Sequence, residues 1–211
     1  MTTPIAAPET IMDRLKEETA KHHAVAEARP LEGSLIGGTI SDEHYRQYLA
    51  QRWVIHRALE AATDEALVRD SRLAGLDLPS LYQTANLEED LAHAGVDVAG
   101  IKPLPGAESL LALIRSAESV APLMGIYYVF EGSKNGARFI ARSLGRAWGR
   151  SDGAGLKYFN PHGERQRELW QKFRADMNAI EWNDQERDQM VEAAKVTFET
   201  VTALADEIQA A

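Results

Sequence analysis

Residues 122–148 have the sequence PLMGIYYVFEGSKNGARFIARSLGRAW, which keeps the apolar spacing of an α-helix despite its internal glycines. Gly125, Gly132 and Gly136 are seven and four residues apart, so they lie on one face of the predicted helix. A glycine inside a helix costs about 1 kcal/mol relative to alanine. Two glycines within five residues therefore indicate that the helix bends or that something approaches its backbone closely. Two explanations remain open: a second helix packed tightly against small residues, or a flat ligand pressed against the backbone.

The segments on both sides of this stretch also have helical periodicity. A first helix is predicted over residues 11–28, with Thr10 and Asp13 as a capping pair. Residues 33–40, GSLIGGTI, are predicted to be a loop. Ser41 is a typical N-cap for the next segment, residues 42–69, which is predicted to be one long helix or two abutting helices. Further helices are predicted over residues 79–93, 108–120, 163–181 and 184–211.

No stretch of strand length alternates apolar and polar residues, and no internal repeat is visible. The sequence therefore predicts an all-α fold, a single-domain bundle of seven or eight helices over residues 11–211. Residues 1–10 are expected to form a flexible N-terminus.

The composition excludes several classes of protein. The chain has 211 residues, enough for one compact domain, and its net charge of −9 is unsuited to holding the polyanionic backbone of nucleic acid. It has no cysteine, which excludes disulfides, thiolate metal sites and a cysteine nucleophile. No secretory signal and no apolar run of about 18 residues is visible, so we expect a cytoplasmic protein without a membrane span, most simply a monomer.

The first predicted helix carries a polar stripe. Lys16, Thr19, His23 and Glu27 are spaced three, four and four residues apart and share one helical face. Such a stripe is often only a solvated face, and it is also the arrangement of a ligating histidine supported by polar neighbours. His22 points about 100° away from His23 on a helix, so it is expected to be exposed while His23 serves any pocket.

Other catalytic patterns are weak. A carboxylate di-iron bundle needs Glu-x-x-His on two helices, and the one near match is Asp90 with His93. The chain contains no Gly-x-Ser-x-Gly, phosphate-loop or His-Glu-x-x-His motif.

Taken together, these segments resemble the heme oxygenase family. The first helix is similar to the family's proximal helix, in which Leu-Lys-Glu-x-Thr precedes the heme-ligating histidine and a glutamate follows four residues later. Here the corresponding elements are LKEET at residues 15–19, His23 and Glu27. Three more segments match in order: EGSKNGA at residues 131–137 resembles the distal helix of bacterial members, FRADMN at 173–178 a later helix with a propionate-binding arginine, and EAAK at 192–195 with Phe198 the helix after it.

This resemblance implies that heme is both cofactor and substrate, held between the proximal helix and a kinked, glycine-rich distal helix. It implies that His23 binds the heme iron through Nε2 while Glu27 or a water holds its other ring nitrogen. The expected reaction consumes dioxygen and yields biliverdin, carbon monoxide and ferrous iron. Its electrons come from a ferredoxin, a flavodoxin or a reductase. The residues implied at the distal face are Gly132, Ser133, Asn135 and Gly136.

The position of the heme propionates decides which meso carbon is cut. Family members that cut at the α position carry a basic residue, a tyrosine and an arginine where this chain has Lys16, Tyr127 and Arg174. The resemblance therefore implies biliverdin IXα as the main product. The further residues that it places around the heme are Thr19, Ala137 and Phe198.

Two other functions belong to the same architecture. A heme carrier would hold the iron without turnover. Thiaminase-type relatives use a cysteine nucleophile, which this chain lacks, and di-iron oxidases need several inward Glu and His ligands, which the spacing does not supply. Conversion of heme to biliverdin in cells separates the enzyme from the carrier.

Overall fold

The computed structural model describes residues 10–211, and over those residues the chain forms eight α-helices, five short 3₁₀ helices and no β-strand. The all-α prediction is thus confirmed. The N-terminal segment expected to be flexible lies outside the described residues, apart from residue 10. The helices are α1 (Ile11–Glu27), α2 (Pro30–Gly37), α3 (Asp42–Arg69), α4 (Thr84–His93), α5 (Pro105–Arg115), α6 (Ala121–Ala147), α7 (Gln166–Ala179) and α8 (Asp184–Gln209).

Local capping determines where the first and third helices begin. The Thr10 hydroxyl accepts the backbone N–H of Asp13 at 3.2 Å, and the Ser41 hydroxyl accepts that of His44 at 3.1 Å. Each contact satisfies one of the amide groups that a helix start leaves without a partner. Both predicted caps are confirmed, and α3 has the bounds predicted for it.

The predicted loop at residues 33–40 is wrong over most of its length, because α2 occupies residues 30–37. Pro30 stands in the first turn, where a missing N–H costs nothing. Leu31 and Leu35, one turn apart, are both buried and hold this short helix against the core. Gly38 ends it in the left-handed conformation, with φ of 70°.

The bounds of three more predicted helices move. Residues 78–81 form a 3₁₀ turn, so α4 begins at residue 84 instead of residue 79. The helix predicted over residues 108–120 starts earlier, at Pro105, and ends earlier, at Arg115. The helix α7 starts at Gln166, after a 3₁₀ turn over residues 163–165. The shifts of α4 and α7 occur where a 3₁₀ turn precedes the helix, which apolar spacing alone does not resolve.

The last helix, α8, packs against α1, α5 and α6, and the buried apolar residues form one continuous core from Ile11 to Ile208. Gly125 lies where α6 meets α8. A Cβ atom at that position would be 2.1 Å from the Met190 carbonyl oxygen and 3.1 Å from the Ala193 side chain. Helix packing therefore explains Gly125, and this contact fixes α6 next to α8. No helix among the described residues is long and apolar enough to cross a membrane.

Candidate functional site

A cleft runs between α1 and α6 and has two compartments. The deep compartment, of about 210 Å³, is walled largely by buried side chains, and the outer compartment, of about 440 Å³, by more exposed ones. The residues that line both compartments are His23, Val129, Gly132, Ser133 and Phe198. Four of these were predicted as site residues, so the structure brings the two motifs of the sequence together.

The two later glycines of α6 face this cleft with bare backbone. A Cβ atom added at Gly136 would meet nothing within 4 Å, and one added at Gly132 would meet only the Trp170 ring, at 3.5 Å. Tight helix packing therefore does not explain these two glycines, in contrast to Gly125. Ala137 lines the same wall, so the surface is shallow over a full turn of α6.

His23 stands on the opposite wall of the cleft. Its Nδ1 lies 3.4 Å from Glu27 Oε2, and the Phe198 ring packs edge-on against the imidazole with 5.5 Å between the ring centroids. A carboxylate that accepts the Nδ1 proton selects the tautomer in which Nε2 carries a free lone pair. Because 53% of the His23 side chain is exposed, Nε2 is available to a ligand in the cleft.

The neighbouring histidine faces elsewhere. His22 Nε2 lies 3.6 Å from Glu199 Oε1, and the ring lines a separate groove that does not include His23. The sequence predicted an exposed His22, but only 31% of its side chain is exposed, less than for His23. The reason is that α8 covers this side of α1.

Three polar side chains along the cleft donate their hydrogens to their own helices. Thr19 is buried and its hydroxyl donates to the Leu15 carbonyl at 2.6 Å. Ser133 donates to the Phe130 carbonyl at 2.8 Å, and the Asn135 amide donates to the Gly132 carbonyl at 3.0 Å. The oxygen atoms of Ser133 and Asn135 therefore remain as hydrogen-bond acceptors at the cleft.

Two cations line the outer compartment. Lys16 comes from α1 and Arg174 from α7, and Arg174 Nη2 lies 3.9 Å from Asp13 Oδ1. Trp170 lines the same compartment, and its ring lies next to Gly132. The sequence predicted both cations at this place.

The predicted position of Tyr127 is wrong. Its side chain is 2% exposed, lines neither compartment, and its hydroxyl lies 3.1 Å from Thr63 Oγ1 in the core. Tyr128 lines the outer compartment instead. Tyr128 is four residues before Gly132, about 400° around the helix axis, and Tyr127 is five residues before it, about 500°. Tyr128 therefore shares the face of Gly132, and Tyr127 does not.

The sequence interpretation missed a polar set at the deep compartment. Tyr48, Arg52, His56 and Glu60 repeat every fourth residue of α3, and each is at most 9% exposed. The Arg52 guanidinium lies over the rings of Tyr48 and Phe130, 4.8 and 5.7 Å from their centroids, and its Nη1 has no hydrogen-bond partner among the described residues. The signal that could have revealed this set is its four-residue spacing, which places the four residues along one side of α3.

A second buried pair comes from the glycine-rich helix itself. Lys134 Nζ donates to Glu131 Oε1 at 2.5 Å and to the Leu81 carbonyl at 3.2 Å. Burial raises the pKa of the Glu131 carboxyl, and Lys134 opposes that shift. Lys134 lines the deep compartment, so the α6 wall of the cleft carries a buried cation. The sequence interpretation did not predict Lys134 as a site residue.

Behind the deep compartment, His56 is held as a neutral base. Its Nε2 lies 3.4 Å from the Tyr158 hydroxyl, and its ring packs on Phe130 at 4.7 Å. Burial, helped by Lys134 and Arg52, places the pKa of His56 well below its usual value of 6.5. The hydrogen bond to Tyr158 connects this imidazole to the wall of the cleft.

This buried histidine predicts an acid-sensitive stability. Below pH 6.5 the unfolded chain binds a proton at His56 that the folded chain does not, so the free energy of unfolding falls as the pH falls. The contribution of His56 is up to about 1.4 kcal/mol per pH unit until its folded pKa is reached. Urea unfolding between pH 7.5 and 5 should show a smaller decrease for His56→Gln than for the wild type. Equal slopes for both proteins would show that His56 is not neutral in the fold.

No group of three or more His, Asp or Glu side chains is placed to hold a metal ion within residues 10–211. The di-iron alternative thus has no ligand cluster in the part of the chain that is described.

Known proteins of one family are similar to this chain. The family model described as Heme oxygenase matches residues 9–207. A heme oxygenase of Pyropia yezoensis is 23% identical over 198 residues, which cover 90% of this chain and 82% of that protein. The solved heme oxygenase of Leptospira interrogans superposes with a TM-score of 0.85 at 20% identity, over 94% of this chain and all of that chain. Heme oxygenase-1 of Synechocystis, solved in complex with heme, gives a TM-score of 0.83 at 19% identity, over 96% of this chain and 93% of that chain.

Proposed function

The chain belongs to the heme oxygenase family, and from this we propose that it is an enzyme that degrades heme to biliverdin, carbon monoxide and ferrous iron. Dioxygen and electrons from outside the chain are its co-substrates. The electron donor, the monomeric state and the cytoplasmic location expected from the sequence belong to the same proposal.

The observation that carries the proposal is the bare backbone of α6 opposite His23. Gly136 has no neighbour within 4 Å of its missing Cβ, and Gly132 has only a ring edge, so a flat molecule fits between these glycines and the imidazole. The Nε2 atom of His23 is a suitable ligand for heme iron because Glu27 stands beside Nδ1. These residues fit a heme.

When bound, the heme supplies both the iron that activates dioxygen and the ring that is oxidised. The chain positions the heme and supplies a route for protons. His23 would hold the heme from its wall of the cleft, and the bare backbone at Gly132 and Gly136 would leave room for a small molecule beside the iron. The oxygen atoms of Ser133 and Asn135 would accept hydrogen bonds from water at this wall, and such water would deliver protons from solvent.

The function test is aerobic incubation of the purified protein with heme and ascorbate, followed by absorbance spectroscopy. Loss of the Soret band with growth of the broad red absorption of biliverdin supports the enzyme. A Soret band that persists with bound heme and no bilin product would show a carrier. A chain without heme binding at all would overturn both.

The rotation of the heme in its plane is set by the outer compartment. Lys16 and Arg174 offer positive charge to the two propionates, and arginine fixes a carboxylate in direction as well as in place. Tyr128 lines the same compartment, and we assign to it the role at the propionates that the sequence assigned to Tyr127. We therefore propose biliverdin IXα as the main product.

Chromatography of the extracted bilin tests this rotation. The wild type should give mainly the α isomer, and Lys16→Asn combined with Tyr128→Phe should move a large share of the product to the β and δ isomers. Tyr127→Phe is the matched control, because that side chain lies in the core, and it should keep the wild-type isomer ratio. A mainly β or δ product from the wild type would contradict the placement of the propionates.

A further inference from the structure

Arg52 is a buried cation at the end of the deep compartment that α3 forms. Only 6% of the residue is exposed, and it takes part in no ion pair within residues 10–211. Its Nη1 has no hydrogen-bond partner in that part of the chain. Arginine keeps its charge in proteins, and a charge that is removed from water needs a counter-charge and hydrogen bonds. Arg52 therefore lacks a partner that its burial requires.

The charged side chains around the compartment do not supply that partner. Lys134, on the α6 wall, pairs with Glu131 at 2.5 Å. Glu60 Oε1, about two turns along α3, accepts two backbone N–H groups at the start of α4, at 2.6 and 3.0 Å. Glu32 lines the compartment together with Arg52, but the two side chains form no ion pair. Burial raises the pKa of the Glu32 carboxyl, and the charge of Arg52 opposes that shift. Glu32 thus balances Arg52 only from a distance.

The proposed function does not explain this cation. Lys16 and Arg174, the cations assigned to the heme propionates, line the outer compartment, whereas Arg52 lines the deep compartment and not the outer one. Tyr48, one turn before Arg52 on α3, also lines the deep compartment. The space for a flat ligand lies between α1 and α6, but these two polar residues come from a third helix. They define a second, polar part of the compartment.

The guanidinium of Arg52 lies over two aromatic rings. Its Cζ is 4.8 Å from the centroid of the Tyr48 ring and 5.7 Å from that of the Phe130 ring. Rings that attract a guanidinium contact its face, so the N–H groups at its edge remain for a ligand. Two N–H groups along one edge match two oxygen atoms of a planar anion. Water would satisfy a donor, but it adds no negative charge and leaves the charge of Arg52 unbalanced.

We propose that Arg52 binds a small planar oxyanion, such as formate or bicarbonate, in the part of the deep compartment next to α3. The inference goes beyond the proposed function, because this ligand is not a reactant of heme degradation. The ceiling on binding free energy per non-hydrogen atom limits an ion as small as formate to a Kd of about 1 mM at best. Ser133 and the glycine wall line the same compartment, so the bound ion lies beside the space for the heme.

Titration of the heme-free protein with ¹³C-labelled formate tests the proposal. Binding is followed by NMR at constant ionic strength and at about pH 8, well above the usual pKa of glutamate. The Kd comes from the shift and the linewidth of the formate signal. A nuclear Overhauser effect between the formate proton and the rings of Tyr48 and Phe130 locates the ion. We expect this contact and a Kd of about 1–5 mM for the wild type.

Arg52→Gln should weaken formate binding by at least about tenfold, because it removes the charge-assisted hydrogen bonds. The matched control is Arg57→Gln, which changes an exposed arginine on the same helix and should keep the Kd within about twofold of the wild type. Glu32→Gln removes the negative charge that shares the compartment, so it should tighten formate binding by about threefold or more. This variant keeps Arg52 in place and therefore tests the site even if Arg52→Gln does not fold.

Two further titrations define the class of ligand and its place. Bicarbonate should displace formate at similar concentrations, whereas chloride should need concentrations about tenfold higher, because a sphere cannot match two N–H groups at once. In the ferrous heme complex with carbon monoxide, the iron has no free position for formate. Formate should still bind to this complex, with a Kd within about threefold of the heme-free value, because Arg52 lies outside the space for the heme.

Several results would overturn the anion site. Absence of saturable formate binding, or equal Kd values for Arg52→Gln and Arg57→Gln, would show that Arg52 binds no anion, and so would an unchanged Kd for Glu32→Gln. Equal competition by chloride would contradict a planar ligand. Displacement of formate by heme would show that the ion only enters the empty heme cleft. The titrations of the heme-free protein need no turnover, so their failure is distinct from failure of the proposed function.

Discussion

Replacing His23 by Ala is expected to abolish axial ligation of heme and to reduce biliverdin formation more than about 100-fold, since even outer partners of ligating histidines are worth 10–100-fold. The imidazole is the proposed ligand on its wall of the cleft, and Glu27 lies beside Nδ1, which leaves Nε2 for the iron. The measurement is the Soret band of the ferric complex with ascorbate-driven turnover. Added imidazole should restore the Soret band of His23→Ala, because the deleted ring leaves a cavity open to solvent.

His22→Ala is the matched control for this experiment. His22 lies on the same helix, one residue away, but lines a groove beside Glu199 and not the heme cleft. It should keep both the spectrum and the turnover of the wild type. If His22→Ala alone loses ligation, the proximal helix is out of register by one residue and the proposed ligand is wrong.

The parts of the fold that could be predicted from the sequence are those fixed by local chemistry. The caps at Thr10 and Ser41 and the long helix α3 each depend on residues a few positions apart. The short helix α2 could not be predicted in this way. Its stability comes from burial of Leu31 and Leu35 against other helices, and local propensity has little weight in eight residues.

The candidate site also has a part that could be predicted from the sequence and a part that could not. The residues predicted from motifs that meet in one cleft are Gly132, Gly136, His23, Glu27 and Phe198. The exchange of Tyr127 for Tyr128 is an error of helical phase, because a motif fixes order along the chain but not rotation about the axis.

The buried polar groups in and behind the deep compartment could be identified only from the tertiary structure. Arg52 and His56 come from α3, Lys134 from α6 and Tyr158 from the segment between α6 and α7. Their contacts join residues up to 102 positions apart, as for His56 and Tyr158. The four-residue spacing on α3 indicates a polar face, but only the fold shows that this face is buried beside the cleft.

Adding one methyl group at Gly136 is expected to stabilise the protein and to impair its activity. Alanine is about 1 kcal/mol better than glycine inside a helix, and nothing within 4 Å opposes the added Cβ. The melting temperature of Gly136→Ala should therefore rise by about 2–4 °C. The methyl group enters the space between α6 and His23, so biliverdin formation should fall by about tenfold, equivalent to 1.4 kcal/mol, while heme still binds.

Gly125→Ala separates this effect from ordinary helix packing, because it makes the same chemical change on the same helix. There the new Cβ atom would lie 2.1 Å from the Met190 carbonyl oxygen, a backbone atom that cannot turn aside. This variant should lose at least about 1–3 kcal/mol of stability in urea unfolding, as overpacked cores do. Whatever folded protein remains should turn over heme normally, since Gly125 lines neither compartment. Opposite signs of the stability change would show that Gly125 is needed for packing against α8, whereas Gly136 is not needed for packing and leaves space for the ligand. A Gly136→Ala protein with wild-type turnover would remove the bare backbone from the mechanism and leave the glycine wall without a function.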